Sequence, residues 1–191
     1  MSEQVALDAS PFHDLLRESA QWRLLGLLFE PPREDWCAEL KSLAAEVGDE
    51  PLAACADKAE QEAGNGLYHS TFGPGGPACP REASHRATFV PGALLAELEA
   101  YYQGFGYQPA CLEAPDHVAV EAGFMAFLRL KQAYAFANGL SDQAEMAAAA
   151  AHRFLTDHLA VIAEPLARSL QQSGIAYLAG AADALRSRTG K

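Results

Sequence analysis

Runs of apolar residues at helical spacing, each closed by proline or glycine, are the feature that most restricts how this chain can fold. From Phe12 to Phe29 the apolar residues follow a helical pattern, and Pro31 and Pro32 then end the run. Further runs of this kind cover roughly residues 33–47, 51–63, 93–103, 116–137, 142–163, 166–172 and 175–185. The pattern predicts an all-α fold in which residues 1–191 form a single, helical-bundle-like domain of about eight helices.

The amino-acid composition supports this prediction. The chain has 39 alanines and 24 leucines, against 12 valines, isoleucines and threonines together. Alanine and leucine favour helices, whereas strands favour β-branched residues. We therefore expect no β-sheet of consequence.

Residues typical of helix ends indicate where several of these helices begin and stop. Ser10 followed by Pro11 predicts a helix start, and Asp142 with Glu145 has the spacing of a capping box. Pro165 is expected to kink or break the helix that contains it. Glycines at positions 48, 139 and 174 are expected to close the helices that precede them.

The stretch from residue 73 to residue 92 is expected to be a long loop. It carries Gly73-Pro74-Gly75-Gly76-Pro77, then Pro80, then Pro91-Gly92, and so cannot form a regular helix. It divides N-terminal helices within residues 10–72 from C-terminal helices within residues 93–188. Loops of about 20 residues are uncommon inside compact domains and are often functional.

Acidic residues dominate the first third of the chain. The formal net charge is −11, and residues 1–72 hold 14 acidic and 5 basic side chains. Nucleic-acid binding needs clustered lysine and arginine, so we expect no nucleic-acid partner. The acidic third would attract a cationic partner, although it could equally serve only to keep the protein soluble.

The sequence shows no targeting segment. The first residues lack the basic start and apolar run of a signal peptide, and no uncharged apolar run reaches the roughly 20 residues of a membrane span. We expect no stable membrane insertion and a cytoplasmic location, where thiols stay reduced.

Common enzyme motifs for phosphate, dinucleotide, zinc-protease and serine-hydrolase chemistry are absent, which removes the commonest enzyme signatures but leaves room for a site assembled from distant residues. One alternative remains open. Cys79 and His85 are six positions apart, and so are Cys111 and His117. Two thiols and two imidazoles could hold a zinc ion in a metal-binding helical enzyme or sensor, although the spacing is not that of familiar zinc fingers.

The most informative local feature surrounds His117. On a helix, His117 and Glu121 share a face with Phe124, so a polar pair lies on an apolar stripe. Asp116 stands at the helix start, where its carboxylate is expected to cap free amides. One interpretation is a capped helix with a satisfied core histidine. The other is that Pro115 fixes the loop while the three polar residues face a peptide-binding groove.

Residues 113–128 have the pattern E-x-P-D-H-x-x-x-E-x-x-F-M-x-x-L. This pattern resembles the signature of the TorD/DmsD/NarJ-type chaperones, which are redox-enzyme maturation proteins. The stretches 68–74 and 154–159 also resemble family positions, in the right order. Ala122 and Gly123 depart from the usual pair at that point.

The resemblance implies a non-enzymatic, all-α, cytoplasmic chaperone that needs no cofactor of its own. It would bind the catalytic subunit of a molybdopterin oxidoreductase, its twin-arginine signal peptide, or both, and assist cofactor insertion before export. The resemblance also implies a set of partner-binding residues: Tyr68, Phe72, Pro115, Asp116, His117 and Glu121. Long helices joined by glycine and proline hinges allow domain swapping, in which two copies exchange a helical element. We therefore expect a monomer with a domain-swapped dimer as a minority form.

Overall fold

The computed structural model describes residues 11–87 and 90–190, and this part of the chain is all-α. The α-helices are α1 (Pro11–Leu28), α2 (Trp36–Glu46), α3 (Glu50–Glu62), α4 (Asn65–Phe72), α5 (Pro91–Phe105), α6 (Val118–Ala137), α7 (Ser141–Phe154), α8 (Ala160–Ser173) and α9 (Ala176–Arg188). A π-helical turn, Leu155–Leu159, joins α7 to α8 without a break. The predicted all-α class is confirmed.

Helices α1 and α6 pack against each other along their length and run antiparallel. The Ser19 hydroxyl at the middle of α1 donates to the Ala126 carbonyl over 2.8 Å, whereas Gly26 near the end of α1 approaches Ala119. A Cβ atom at position 26 would lie 3.1 Å from the Ala119 carbonyl oxygen, so the absent side chain lets the two backbones come close. This pair forms the centre of the bundle.

Aromatic side chains fill the core between α5, α6 and α7. The rings of Phe124 and Phe154 have centroids 4.8 Å apart, and Tyr102 lies 4.9 Å from Phe124. Near the other end of the bundle, the Trp36 indole donates to the Leu27 carbonyl over 2.9 Å, which satisfies its one polar atom. Helix α6, which carries most of the motif segment, therefore packs against α1 as well as against α5 and α7.

The predicted glycine closures are confirmed. Gly48, Gly139 and Gly174 each follow a helix with φ between +59° and +74°, a conformation that residues with a side chain rarely adopt. Pro11 is the first residue of α1, as expected, while Ser10 lies outside the described residues.

Two expectations about helix ends are wrong. Asp142 and Glu145 form no capping box, since α7 begins at Ser141 with Leu140 at the cap position and no side-chain cap hydrogen bond. Of the two outcomes expected at Pro165, a kink or a break, the break is wrong, because α8 continues through this residue to Ser173. The departure from α-helical geometry lies upstream, in the π-helical turn, where the chain accommodates one extra residue.

The loop expected near residues 73–92 is present. Residues 73–87 and 90 connect α4 to α5, with a single 3₁₀ turn at Glu82–His85, and α5 begins at Pro91, slightly earlier than expected. Within the described residues, no helix has both the length and the apolarity to cross a membrane.

Candidate functional site

Backbone hydrogen bonds hold the segment before α6 against the loop between α4 and α5. The Val118 amide donates to the Pro80 carbonyl over 2.9 Å, and the Glu82 amide donates to the Asp116 carbonyl over 2.8 Å. Arg81 pairs with His117 in an isolated antiparallel bridge between these two bonds. The motif is therefore completed by a loop that lies about 35 residues earlier in the chain.

The Asp116 carboxylate, which is fully buried, binds the loop and not the helix. One of its oxygens accepts from Arg81 Nε over 2.8 Å and from Nη2 over 2.6 Å, and the other accepts from the Ala83 amide over 3.3 Å. The expected cap of α6 by Asp116 is therefore wrong. Charge-assisted bonds to a guanidinium are stronger than a bond to a helix amide, and they turn this carboxylate away from α6.

His117 takes the cap position of α6. Its Nδ1 accepts from the Ala119 amide over 3.1 Å, so the neutral ring carries its proton on Nε2. Nε2 lies 3.3 Å from the Tyr68 hydroxyl, which in turn donates to Glu113 over 3.0 Å. A short relay of hydrogen bonds thus runs from the start of α6 to α4.

Burial controls the protonation of this relay. It lowers the pKa of His117 to about 4, against the opposing negative charges of Glu113 and Asp116, so the imidazole is neutral at neutral pH. Burial, reinforced by the charge of Glu113, also raises the pKa of Tyr68, which keeps the phenol protonated. Neither group can therefore supply a charge to a partner at neutral pH.

A second set of buried polar groups lies beside the first. Glu82 accepts from Arg86 Nε over 2.6 Å and pairs with His158 Nδ1 at 3.1 Å. Glu121 is fully buried, and no donor in the part of the chain that the structure describes binds its oxygens. Burial alone would raise the pKa of Glu82, but His158 and Arg86 outweigh it and lower that pKa. For Glu121, burial and then the charge of Glu82 raise the pKa well above its usual range. We call Glu82, Asp116, His117, Glu121 and His158 the buried polar cluster.

A small cleft of about 270 Å³ opens beside this cluster. Its lining residues come from α4, from the loop and from the segment before α6: Tyr68, His69, Phe72, Gly73, Cys79, Pro80, Arg81, Glu113 and His117. Three of the expected partner-binding residues, Tyr68, Phe72 and His117, are thus brought together. Asp116 and Glu121 lie buried behind it.

Pro115, the sixth expected partner-binding residue, is half-buried, and its carbonyl accepts from the Tyr102 hydroxyl over 2.8 Å. It therefore anchors the segment before α6 to α5. The partner-binding role of all six residues stays a prediction.

A larger apolar groove of about 690 Å³ lies between α5, α6 and α7. It is lined by Glu97, Ala100, Tyr101, Gly104, Phe105, Lys131, Tyr134, Ala135, Gln143, Met146, Ala147 and Arg153. Tyr134 and Met146 are more than 60 % exposed, which is unusual for such large apolar side chains on neighbouring helices. The sequence analysis did not identify this surface. The available signal was that Leu130, Tyr134 and Phe136 are large apolar residues that fall outside the stripe occupied by Phe124 and Leu128 on α6.

The alternative metal site gains no support. Cys79 Sγ donates to the Ser84 hydroxyl, His85 Nε2 lies 2.8 Å from the Cys79 carbonyl, and His117 Nδ1 caps α6. Across residues 11–87 and 90–190, no three histidine, cysteine, aspartate or glutamate side chains are placed to hold one metal ion.

These features define a class: an all-helical protein in which a buried polar motif secures a loop, beside an exposed apolar groove. The chain belongs to the nitrate reductase delta subunit family, whose model matches residues 34–168 and so includes the motif segment. The family match confirms the resemblance to the redox-enzyme maturation chaperones that residues 113–128 indicated. No curated protein matches the chain significantly.

The fold is also similar to a solved structure. A crystal structure described as that of a candidate redox enzyme maturation protein from Archaeoglobus fulgidus superposes with a TM-score of 0.59. The match covers 91 % of this chain and 94 % of the other, at 21 % sequence identity. At 21 % sequence identity, this similarity shows that the two proteins share a fold.

Proposed function

We propose that this protein is a non-enzymatic cytoplasmic chaperone for a nitrate-reductase-type molybdoenzyme. It binds the catalytic subunit, including an apolar N-terminal leader segment, and holds it until the molybdopterin cofactor has been inserted. Membership of the nitrate reductase delta subunit family supports the class of client. The exposed apolar groove is the observation that carries the proposal, because a chaperone needs a surface for an apolar segment that water would otherwise surround.

The lining of the groove suits a helical ligand. Its floor contains small residues from three helices, Ala100, Gly104, Ala135 and Ala147, between larger side chains such as Tyr134. Small residues admit the large apolar side chains of an incoming helix, and mobile or aromatic walls adapt to different sequences. We therefore propose that an amphipathic, helical segment of the client binds here.

A twin-arginine leader would need carboxylates for its cationic part. The groove rim carries Lys131 and Arg153 with Glu97, so it does not favour a strongly cationic segment. The exposed acidic residues of α2 and α3, with those just before α2, offer a better match: Glu34, Asp35, Glu46, Glu50, Asp57 and Glu62. We propose that the apolar part of the leader lies in the groove and that its arginines point toward this acidic face.

We propose that the six expected partner-binding residues act in two ways. Tyr68 and Phe72 contact the client at the small cleft, which His117 also lines. Pro115, Asp116 and Glu121 do not contact the client. They hold in place the loop and the segment before α6, which form the wall of the small cleft.

Binding measurements on the purified protein test this proposal. The ligands are the cofactor-free catalytic subunit of a molybdopterin oxidoreductase encoded near this gene, and a synthetic peptide of its leader. We expect both to bind the wild-type protein. Tyr134→Ser combined with Met146→Ser should weaken peptide binding about tenfold or more, because both side chains lose their apolar contacts.

Leu112→Ser is the matched control, because Leu112 is a fully exposed apolar residue that lies outside the groove. It should leave peptide affinity unchanged. Equal losses in the control and in the double variant would remove the groove from the proposal. Failure of the wild-type protein to bind either ligand would overturn the chaperone assignment for this client.

A further inference from the structure

The loop segment 80–86 is attached to the rest of the protein mainly through the buried polar cluster. Its backbone bonds to the segment before α6, Asp116 binds its Arg81 side chain, and Arg86 donates to the Asp157 carbonyl over 2.6 Å. Glu82 completes the attachment through His158 on the π-helical turn. The position of this segment therefore depends on charge balance inside the cluster.

Glu121 is the member of the cluster whose negative charge would be poorly compensated, because the positive charge of Arg86 is outweighed by burial and by the neighbouring carboxylates. Its side chain is fully buried, and no N–H group or hydroxyl in residues 11–87 and 90–190 donates to either carboxylate oxygen. Its polar neighbour is the Glu82 carboxylate, an acceptor to which Glu121 can donate only while it is protonated. Two other carboxylates act on it, Glu82 from the 3₁₀ turn and Asp116 from the start of α6. Arg86, the cation that acts on Glu121, is already bound to Glu82. On α5, Glu121 acts on the Tyr102 phenol, which burial keeps protonated and neutral.

A carboxylate that is desolvated, unpaired and flanked by two like charges is stable only while it carries a proton. Geometry and electrostatics agree on this point, since burial and the charges of Glu82 and Asp116 all favour the neutral acid. Ionisation would place a third negative charge against the loop segment. The contact that can yield is the attachment of that segment, because α6 is packed into the core on both sides.

We propose that the proton on Glu121 is a latch: while it is bound, segment 80–86 stays seated on α6, and its loss releases the segment. Release of segment 80–86 would change both the small cleft and the apolar groove. Pro80 and Arg81 form one wall of the small cleft. His158 lies behind the groove wall, with its ring centroid 5.6 Å from that of Tyr101 and its Nε2 4.0 Å from Glu97.

Hydrogen exchange of the full-length protein between mildly acidic and alkaline pH tests the latch without any partner. After correction for the intrinsic pH dependence of exchange, the Glu82 and Ser84 amides should lose protection about tenfold or more as the pH rises. Glu121→Gln keeps the shape and cannot ionise, so it should retain protection throughout. Glu99→Gln, at an exposed carboxyl on α5, is the matched control and should behave as the wild-type protein does.

Infrared spectroscopy of the wild-type protein gives a second measurement that does not depend on a variant. A carbonyl band of a protonated carboxylic acid should persist at neutral pH and disappear over the same pH range in which protection is lost. The proposal is overturned if protection does not change with pH, if Glu121→Gln loses protection as the wild type does, or if no such band is present at neutral pH.

Discussion

The buried polar cluster and the apolar groove place their side chains in opposite ways. In the cluster, three carboxylates and two imidazoles lie inside the protein, whereas in the groove Tyr134 and Met146 face water. Buried ionisable groups and exposed large apolar groups are each costly in a monomer. The difference indicates that the polar motif maintains the structure around a loop, and it supports our proposal that a partner binds in the groove.

The largest expected effect in this comparison is the loss of Asp116. Asp116→Ala leaves the Ala83 amide and part of the Arg81 guanidinium without a partner, so the free energy of unfolding should fall by about 2–4 kcal/mol. Urea denaturation measures it. Asp14→Ala removes another aspartate–arginine pair, but both side chains are about half exposed, and the change should stay within about 0.5 kcal/mol. In this pair only the Asp116 carboxylate is buried, while the Arg81 side chain is 44 % exposed. Similar losses of stability in the two variants would show that burial of the Asp116 carboxylate adds nothing to the strength of its ion pair.

His117 should give the next largest effect, with a definite pH dependence. Its pKa is about 4 in the folded protein and about 6.5 when unfolded, so the unfolded chain binds the extra proton between these values. The stabilisation is fully present above pH 6.5 and is lost as the pH falls toward 4. His117→Ala should cost about 1 kcal/mol at neutral pH through the missing cap.

His117→Asn separates the two contributions of this residue, because asparagine can cap a helix and does not titrate in this range. Thermal melts between pH 4 and 7 should show a shallower acid slope than those of the wild-type protein. A slope equal to that of the wild type would mean that His117 is not the group responsible.

The groove substitutions should have a small effect on stability. Tyr134→Ser and Met146→Ser remove side chains that are already exposed, so each should change the unfolding free energy by less than about 0.5 kcal/mol. Thermal denaturation of the samples used for binding checks this. A large loss of stability would show that the two side chains support the fold, which would weaken the contrast between the two regions.

The smallest expected effect concerns the acidic face. If a leader with two arginines binds there, its affinity should fall as salt rises and then level off, because the apolar contacts in the groove are not screened. Asp57→Asn combined with Glu62→Gln should reduce this salt dependence by a few tenths of a kcal/mol per charge. Isothermal titration at two salt concentrations measures it. A salt-independent affinity in the wild-type protein would mean that the acidic face serves only solubility.

The helical class and several helix ends could be predicted because they depend on neighbouring residues. Glycines such as Gly48 and Gly174 act locally, through a backbone conformation that other residues avoid. Pro165 was misjudged because the bundle supports α8 on its buried side, and tertiary packing outweighed the local preference. The π-helical turn has no local sequence signature.

The candidate site was predictable only in part. The pattern around His117 correctly indicated a polar group on an apolar stripe, but the partners of that group come from distant segments, Tyr68 and Arg81 among them. The groove escaped prediction because it depends on how three helices are rotated about their axes. Apolar residues such as Met146 look the same in sequence whether they face the core or water.

The packing of α1 on α6 has a consequence for the synthesis of the protein. The Ser19–Ala126 contact joins residues 107 positions apart. At a translation rate of about 5–20 residues per second, the face of α1 that carries Gly26 emerges from the ribosome roughly 5–20 s before its counterpart. The nascent chain must therefore remain soluble through that interval with its central interface unformed, and a slow or stalled ribosome would lengthen the time in which it can aggregate.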